Sequence, residues 1–402
     1  MAIVTLNEPG KTRKYALFQL GFRPFFLGAS LFALLSSILW FAQYSFGLQS
    51  MQFALADPIQ WHAHEMIFGY SLAVIAGFLL TAVRNWTNLQ TLQHMPLAML
   101  FFMWALARVL SLFSATPSLL WATILLDLAF NFFLTYAIAR PILQAKQWNN
   151  IGLVSKVLLL SIANLVFYAG ALDSSPQWMH VGLYAGLYLV LAIVLTLGRR
   201  VMPFFIERGV AETVSLPNWK WLDLTSLILF LGFAIADLIS PASTVTALFA
   251  LALAGTHAIR LMGWHTPGIW KKPLLWILFL AYAFIITGFA LKAASIFWAV
   301  PVFLALHAFT YGGIGLITLG MMARVALGHT GRNVFDPPSI LYGLFIVITC
   351  GACFRVFFPL IFPAQYTYGV ALAFIFWILA FAGFLYTYIP ILIRPRIDGQ
   401  PG

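Results

Sequence analysis

The sequence predicts an all-α polytopic membrane protein with about twelve transmembrane helices. Hydrophobic residues make up 62% of the 402-residue chain and charged residues only 8%, whereas soluble domains carry about 25% charged residues. The mean hydropathy is +0.94. Apolar runs recur at the length of about 20 residues that an α-helix needs to cross a bilayer. We therefore predict a single transmembrane domain over residues 1–402, with the lipid bilayer as its main solvent.

The apolar runs, taken in order, predict twelve spans. The first six cover residues 22–46, 62–84, 95–114, 117–140, 151–172 and 178–199, and the second six cover 220–239, 242–263, 273–293, 296–323, 339–361 and 366–393. Each run is long enough to cross at 1.5 Å per residue. The longest predicted loop covers 199–219, and a second long loop covers 324–338.

Basic residues concentrate in the loops on one side of the predicted bundle. That side collects Lys11, Arg13, Lys14, Arg84, Arg140, Lys146, Arg199, Arg200, Arg208, Lys220, Arg260, Lys271, Lys272, Arg324, Arg332, Arg394 and Arg396. The opposite side has little beyond Arg108, Lys292 and Arg355. Because cytoplasmic loops carry the excess of Lys and Arg, we predict that both termini are cytoplasmic. The net charge of +11 then reflects topology, and no nucleic-acid partner is expected.

Four histidines fall in the predicted outer half of the membrane. His62 and His64 begin span two, His180 begins span six, and His307 lies about ten residues into span ten. Ionisable residues are costly inside a membrane and mark functional sites there. Haem iron takes one or two imidazoles from facing helices of a bundle, and copper is also well served by imidazole. These residues predict a haem or metal centre near the outer face.

The candidate ligands have different expected roles. We predict His64 and His307 as axial haem ligands, and His62 and His180 as candidates for copper or for an outer ligand gate. Glu65 could orient a ligand or carry protons. His62 and His64 lie about 200° apart on a regular helix, so they converge only if His62 precedes the first turn; otherwise they serve two centres.

Arg23 and the glycines that follow His64 and His307 each have two possible interpretations. Arg23 could pair with anionic groups such as haem propionates, or anchor the cytoplasmic face. Gly69 and Gly77 follow His64 at +5 and +13, and Gly312 and Gly320 follow His307 at the same offsets. Glycines permit the close approach of another helix or of a flat macrocycle, and the sequence leaves both readings open.

Several sequence blocks resemble the NnrS family. They are Gly21-Phe22-Arg23-Pro24-Phe25-Phe26, Trp61-His62-Ala63-His64-Glu65-Met66, Gly77-Phe78-Leu79-Leu80-Thr81-Ala82-Val83, Arg200-Val201-Met202-Pro203-Phe204-Phe205, and the stretch from His307-Ala308-Phe309-Thr310 to Gly328-His329-Thr330-Gly331-Arg332. This resemblance implies a polytopic protein of the bacterial inner membrane that contains haem b and copper and is linked to nitric oxide metabolism and tolerance. His62, His64 and His307 fall in matching blocks, whereas His180 does not.

The positions of the histidines are also similar to those of haem–copper oxidases and their nitric oxide reductase relatives. That twelve-span core carries haem ligands on spans two and ten and a copper ligand on span six, so an arrangement like it is one expectation for this fold. The chain lacks the histidine pair of span seven and the multiple histidines of span ten. We therefore do not expect a complete binuclear centre of that kind, and fold alone does not establish function.

The leading functional hypothesis is a haem b protein, with copper as a second expected cofactor, that binds or reduces nitric oxide and so contributes to nitrosative stress tolerance or denitrification. Reduction would make it an oxidoreductase and would require electrons, for which quinol in the bilayer is the expected donor. One alternative is a twelve-helix transporter with a site near the bilayer midplane. The other is a haem- or copper-dependent sensor without turnover.

Overall fold

The computed structural model describes residues 15–47, 57–113 and 116–400 and is helical throughout, with no strand among those residues. Twelve of its helices are long and apolar enough to cross a membrane. They are α1 (Phe22–Phe46), α2 (Pro58–Thr87), α3 (His94–Ser111), α4 (Pro117–Gln144), α5 (Trp148–Leu172), α6 (Pro176–Gly209), α7 (Lys220–Ile239), α8 (Thr244–Trp264), α9 (Pro273–Phe297), α10 (Val302–His329), α11 (Ile340–Ile361) and α12 (Pro363–Ile393). The predicted fold class is confirmed.

The observed helices follow the predicted spans to within four residues, except for α6 and for α10, which begins at Val302 and not at residue 296. Helix α6 continues to Gly209, ten residues past its predicted end, and α10 continues to His329, past the predicted end at residue 323. Backbone hydrogen bonds hold a helix together whether lipid or water surrounds it, so hydropathy marks where a span leaves the apolar layer and not where the helix stops. The predicted end of span three, residue 114, lies outside the described residues.

Helices α2 and α10 form the centre of the bundle. Over their most apolar 18 residues, 83% of α2 and 72% of α10 are buried, against 17% for α7. The largest helix–helix interfaces join α9 to α10, α5 to α6, α11 to α12, α8 to α9, and α1 to α12. The first and last spans are therefore neighbours, and the two spans that carry the candidate ligands are shielded from lipid.

The described ends of the chain meet at one end of the bundle. The backbone N–H of Ala16 donates to the carbonyl of Ile393 at 2.7 Å, as the even number of spans predicts. Which face of the membrane this end occupies stays a prediction. The predicted orienting residues Lys11, Arg13 and Lys14 lie outside the described residues.

A π-helical segment follows the candidate ligand histidine in each central helix. In α2 it covers Glu65–Ser71, directly after His64, and in α10 it covers Ala308–Gly315, directly after His307. A π segment contains one residue more than the α-helical turn it replaces, so it rotates the side chains before it relative to those after it. Such segments are rare and often mark functional sites. The two central helices thus share this feature at the same position relative to histidine.

Candidate functional site

His62 and His64 contact different helices. Both lie inside the first α-helical segment of α2, which begins at Pro58 with Asp57 as its N-cap. The ring of His62 stacks on Trp40 of α1, with the ring centroids 4.9 Å apart and an interplanar angle of 6°. His64 instead packs against α5. This agrees with the 200° separation that a regular helix imposes and with the expectation that the two histidines serve different sites.

His62 and His307 belong to one cluster at the predicted outer end, which we call the outer cluster; its residues are Tyr44, His62, His307, Arg355 and Tyr366. Arg355 Nη2 lies 3.1 Å from His307 Nε2. The charges of His62 and Arg355, and those of His62 and His307, are close enough to interact. Tyr44 and Tyr366 are also within electrostatic reach of Arg355. Helices α1, α2, α10, α11 and α12 all contribute to this cluster.

The contacts of His307 define its tautomer. Its Nδ1 lies 2.8 Å from the carbonyl oxygen of Phe303, and because a carbonyl can only accept, Nδ1 carries the proton. Nε2 therefore holds a lone pair, consistent with the approach of the Arg355 guanidinium, which can only donate. Histidines that ligate metals use this arrangement: one nitrogen is fixed by a backbone carbonyl and the other is left for the metal.

His64 lies in a separate, fully buried polar network, which we call the His64 network; it consists of His64, Glu65, Arg108, Asp127, Asn164 and Tyr168. His64 Nδ1 is 3.1 Å from Glu65 Oε1, and its Nε2 is 2.8 Å from Asn164 Oδ1. Arg108 bridges Glu65, at 2.8 Å, and Asp127. Asp127 also accepts from Asn164 at 2.8 Å and from the Tyr168 hydroxyl at 2.9 Å.

The hydrogen bonds of the His64 network occupy both ring nitrogens of His64. Asn164 donates its amide to Asp127, so its oxygen faces His64, and Nε2 must donate to it. Nδ1 faces Glu65, whose other oxygen already accepts from Arg108. Arg108 lies between both carboxylates of the network, and buried charges are tolerated when they are paired in this way. His64 therefore presents no lone pair to a cofactor in this arrangement.

His180 is apart from both groups. It stacks on Tyr184 with ring centroids 4.1 Å apart, near the buried ion pair of Asp237 and Lys292, whose atoms Oδ1 and Nζ are 2.5 Å apart. The Tyr188 hydroxyl donates to the other oxygen of Asp237. The structure brings together His62 and His307 but places His64 and His180 elsewhere. Among residues 15–47, 57–113 and 116–400, no three His, Cys, Asp or Glu side chains form a group that could hold a metal ion.

Arg23 lies at the opposite end of the bundle from the outer cluster. Its Nη1 donates to the carbonyls of Ile391 at 3.3 Å, Leu392 at 2.9 Å and Arg394 at 2.7 Å. These are carbonyls at the C-terminus of α12, which have no partner within the helix and carry the negative end of its dipole. In this structure Arg23 stabilises the end of the last helix. Its predicted pairing with a propionate stays a prediction.

The paired glycines after His64 and His307 serve helix packing. A Cβ at Gly77 would meet Phe26 of α1 at 2.9 Å, and one at Gly320 would meet Ile277 of α9 at 2.8 Å. Gly312 is packed in the same way against Phe284 of α9. Of the two readings that the sequence leaves open, close approach of neighbouring helices accounts for these positions.

The space beside the bundle centre is apolar. A small cavity of about 60 Å³ lies between α1, α2, α6, α9 and α10. Thr318 is the polar side chain of its lining, and its hydroxyl already bonds the Tyr70 hydroxyl at 2.7 Å and the Ile314 carbonyl at 2.6 Å. No ionisable side chain lines the cavity, and no residue of the outer cluster does. Its lining offers nothing to bind a charged transport substrate.

Three residues of the buried clusters could have been found from the sequence by their position on the side of the bundle that has few basic residues. Arg108, Lys292 and Arg355 are the basic residues found on the otherwise non-basic side of the predicted bundle. In the structure Arg108 is the centre of the His64 network, Lys292 pairs with Asp237, and Arg355 contacts His307. A basic residue that the positive-inside rule does not explain was therefore the best pointer to a buried site. Asn164 and Tyr168 gave no such signal.

Comparison with known families supports the resemblance seen in the sequence. The model of the NnrS protein family matches residues 16–396. The chain belongs to the NnrS family. The match covers all twelve spans and so includes both the outer cluster and the His64 network of this NnrS protein. No curated protein matches the chain.

Proposed function

We propose that this NnrS protein binds haem b within the membrane through the outer cluster and that nitric oxide is the ligand of the haem site. The observation that carries the proposal is the tautomer of His307, because the Phe303 carbonyl keeps the proton on Nδ1 and so leaves a lone pair on Nε2. That lone pair accepts from Arg355 here and would be given to iron, with His62 within electrostatic reach. Two imidazoles from facing helices are the donor set that haem takes in helical bundles.

The geometry favours His62 over His64 as the partner of His307. His62 Nδ1 is buried and has no hydrogen-bond partner within the described protein, whereas both ring nitrogens of His64 are engaged by Glu65 and Asn164. A ligand needs a free lone pair, and an unpaired buried nitrogen is otherwise costly. His62 and His307 would therefore hold haem, with His64 in a structural and protonic role beside them.

The chemistry divides between cofactor and protein. Haem held by these residues would supply an iron that can coordinate nitric oxide once one of the two imidazoles is released. The protein orients the ligating ring through the Phe303 carbonyl and limits access of water by stacking Trp40 on His62. The guanidinium of Arg355 provides hydrogen-bond donors to that site. In the family, copper is the second expected cofactor; its site here stays a prediction, with His62 and His180 as candidates.

An absorption spectrum of the purified protein tests the proposal. We expect a b-type haem spectrum after reduction and a shift of the Soret band when nitric oxide is added. A haem spectrum that does not respond to nitric oxide would indicate a six-coordinate electron carrier. A folded protein that binds no haem in any preparation would overturn the proposal.

Four variants separate the ligand from its neighbours. His307→Ala and His62→Ala should each lower the haem content of purified protein by more than about tenfold, because removal of ligands and of their orienting groups reduces metal affinity at least that much. His64→Ala should retain haem but unfold at lower temperature. The control is His94→Asn at the other end of the bundle, since Asn tolerates the positive φ of 53° at that position. Equal haem in His307→Ala and in the control would contradict the assignment.

A further inference from the structure

Arg355 is a partly buried cation that has no carboxylate partner among the described residues. Its Nη2 contacts His307, and the guanidinium lies over the rings of Phe303 at 5.8 Å and Tyr366 at 5.7 Å. Its Nη1 has no solvent exposure and no hydrogen-bond partner. Within residues 15–47, 57–113 and 116–400, Arg355 forms no ion pair.

The other cations inside the spans provide a comparison for Arg355. Arg108 is paired with Glu65 and Asp127, Arg260 with Asp223, and Lys292 with Asp237. Two more arginines lack a carboxylate but are engaged otherwise: Arg23 donates to carbonyls at the end of α12, and Arg324 lies 4.0 Å from the centroid of the Phe205 ring. A charge removed from water is tolerated when it is paired and its hydrogen bonds are satisfied. Arg355 meets neither condition, since the groups nearest to it are imidazoles and phenols.

A second unsatisfied atom lies in the same cluster. His62 Nδ1 is buried without a partner, and its ring is within electrostatic reach of Arg355. His62 is fixed by its stacking on Trp40. The outer cluster therefore holds a guanidinium and an imidazole that both have unused hydrogen-bonding capacity, and it carries a net positive charge when the imidazoles are neutral.

We propose that the outer cluster is a binding site for a planar, carboxylate-like oxyanion, with Arg355 as its anchor. Guanidinium is the preferred partner for such anions because its N–H groups match two oxygens of a planar acceptor. The phenols of Tyr44 and Tyr366 supply further donors at its edge. The anion supplies the missing countercharge and satisfies Nη1 of Arg355.

Two sources offer this chemistry. One is a propionate of the bound porphyrin, and this case rests on the proposed haem function. The other is a free anion such as formate or nitrite that enters from the predicted outer face, where the side chains of Arg355, His62 and His307 keep a small exposed fraction. The anion site itself follows from the unpaired charge and does not depend on haem.

The first experiment uses the full-length, haem-free protein in detergent. Thermal unfolding is followed while sodium formate or nitrite is added against sodium chloride at constant ionic strength. We expect a saturable rise in Tm with the planar anions, its loss in Arg355→Gln, partial retention in Arg355→Lys, and the wild-type response in Lys271→Gln, which removes an exposed cation from the other end of the bundle. The absence of a saturable response in wild-type protein would overturn the free-anion source.

The second experiment compares binding of haem b with that of its propionate dimethyl ester. If a propionate is the anion, ester formation and Arg355→Gln should each weaken binding by about tenfold, the loss of one charge-assisted hydrogen bond, and the two changes together should cost no more than either alone. Equal binding of both porphyrins by wild-type protein, together with no response to formate or nitrite, would overturn the proposal. Failure of every variant to bind either porphyrin would instead contradict the haem function and leave the formate result to decide the anion site.

Discussion

Single residues in this protein are placed by the cost of an unpaired charge in an apolar surrounding. In the His64 network, Glu65 and Asp127 lie against Arg108 and His64, and all four side chains are buried. The outer cluster holds Arg355 without a carboxylate partner among the described residues. Both arrangements use arginine, but the first is complete within the protein, whereas we propose that a ligand completes the second.

Removal of Arg108, the central cation of the His64 network, should show how much the ion pairs of this network contribute to stability. Arg108→Gln leaves Glu65 and Asp127 without the guanidinium that pairs them, and breaking a buried ion pair from one side costs about 3–5 kcal/mol. We expect a large drop in the free energy of unfolding, measured by denaturation in detergent, and a smaller drop when Asp127→Asn is added, because one carboxylate is then neutral. Lys271→Gln is the control. Wild-type stability in Arg108→Gln would show that the network contributes little.

At the scale of elements, glycine and π-helical segments determine how the helices meet. The backbones of α5 and α6 approach closely, since a Cβ at Gly182 would lie 2.6 Å from the backbone nitrogen of Phe167 and 2.8 Å from the carbonyl oxygen of Ala163. Backbone atoms cannot move aside as a side chain can. The π segments after His64 and His307 in turn set the direction of each ring relative to the rest of its helix.

A pair of glycine substitutions tests this packing. Gly182→Ala should destabilise the protein by about 1–3 kcal/mol, the usual effect of overpacking, because α5 and α6 must move apart. Gly255→Ala in α8 is the matched control, since a Cβ at that position would meet no atom within 4 Å, and it should leave thermal unfolding unchanged or slightly raise Tm. Equal Tm values for the two variants would contradict the packing argument.

At the scale of the whole molecule, the chain returns to its starting side. Ala16 and Ile393 are joined by a backbone hydrogen bond, α1 packs on α12, and Arg23 binds the end of α12. These contacts close the bundle around α2 and α10. The positive-inside rule predicts that this end is cytoplasmic, and the outer cluster would then lie on the opposite side.

Labelling of single cysteines tests that orientation. In a background with Cys350 and Cys353 changed to alanine, Ala242→Cys lies in the short connection between α7 and α8, and Lys271→Cys lies between α8 and α9; both positions are exposed. In spheroplasts we expect a membrane-impermeant maleimide to label position 242 and to label position 271 only after lysis. The reverse pattern would invert the topology and place the outer cluster on the cytoplasmic side.

The sequence predicted the fold class well and the site in part. The helix bounds agree because a bilayer demands about 20 apolar residues per span, a local property that composition reveals. The pairing of His62 and His307 with Arg355 depends on residues of α2, α10 and α11 that are far apart in the chain. The prediction that His64 and His307 form a pair was based on their similar depth in the membrane. Depth does not define the direction in which a side chain points around the helix axis.

By itself, the sequence determined that this protein spans a membrane about twelve times, resembles the NnrS family, and keeps histidines in the half of the bundle that has few basic residues. Hydropathy, charge bias and motifs depend on residues that are close together in the chain, so the sequence alone reveals them. Only the tertiary structure decided which histidine retains a lone pair, because that depends on hydrogen-bond partners such as Asn164 and the Phe303 carbonyl. It also decided which arginines are paired, because a countercharge comes from whichever helix packs alongside.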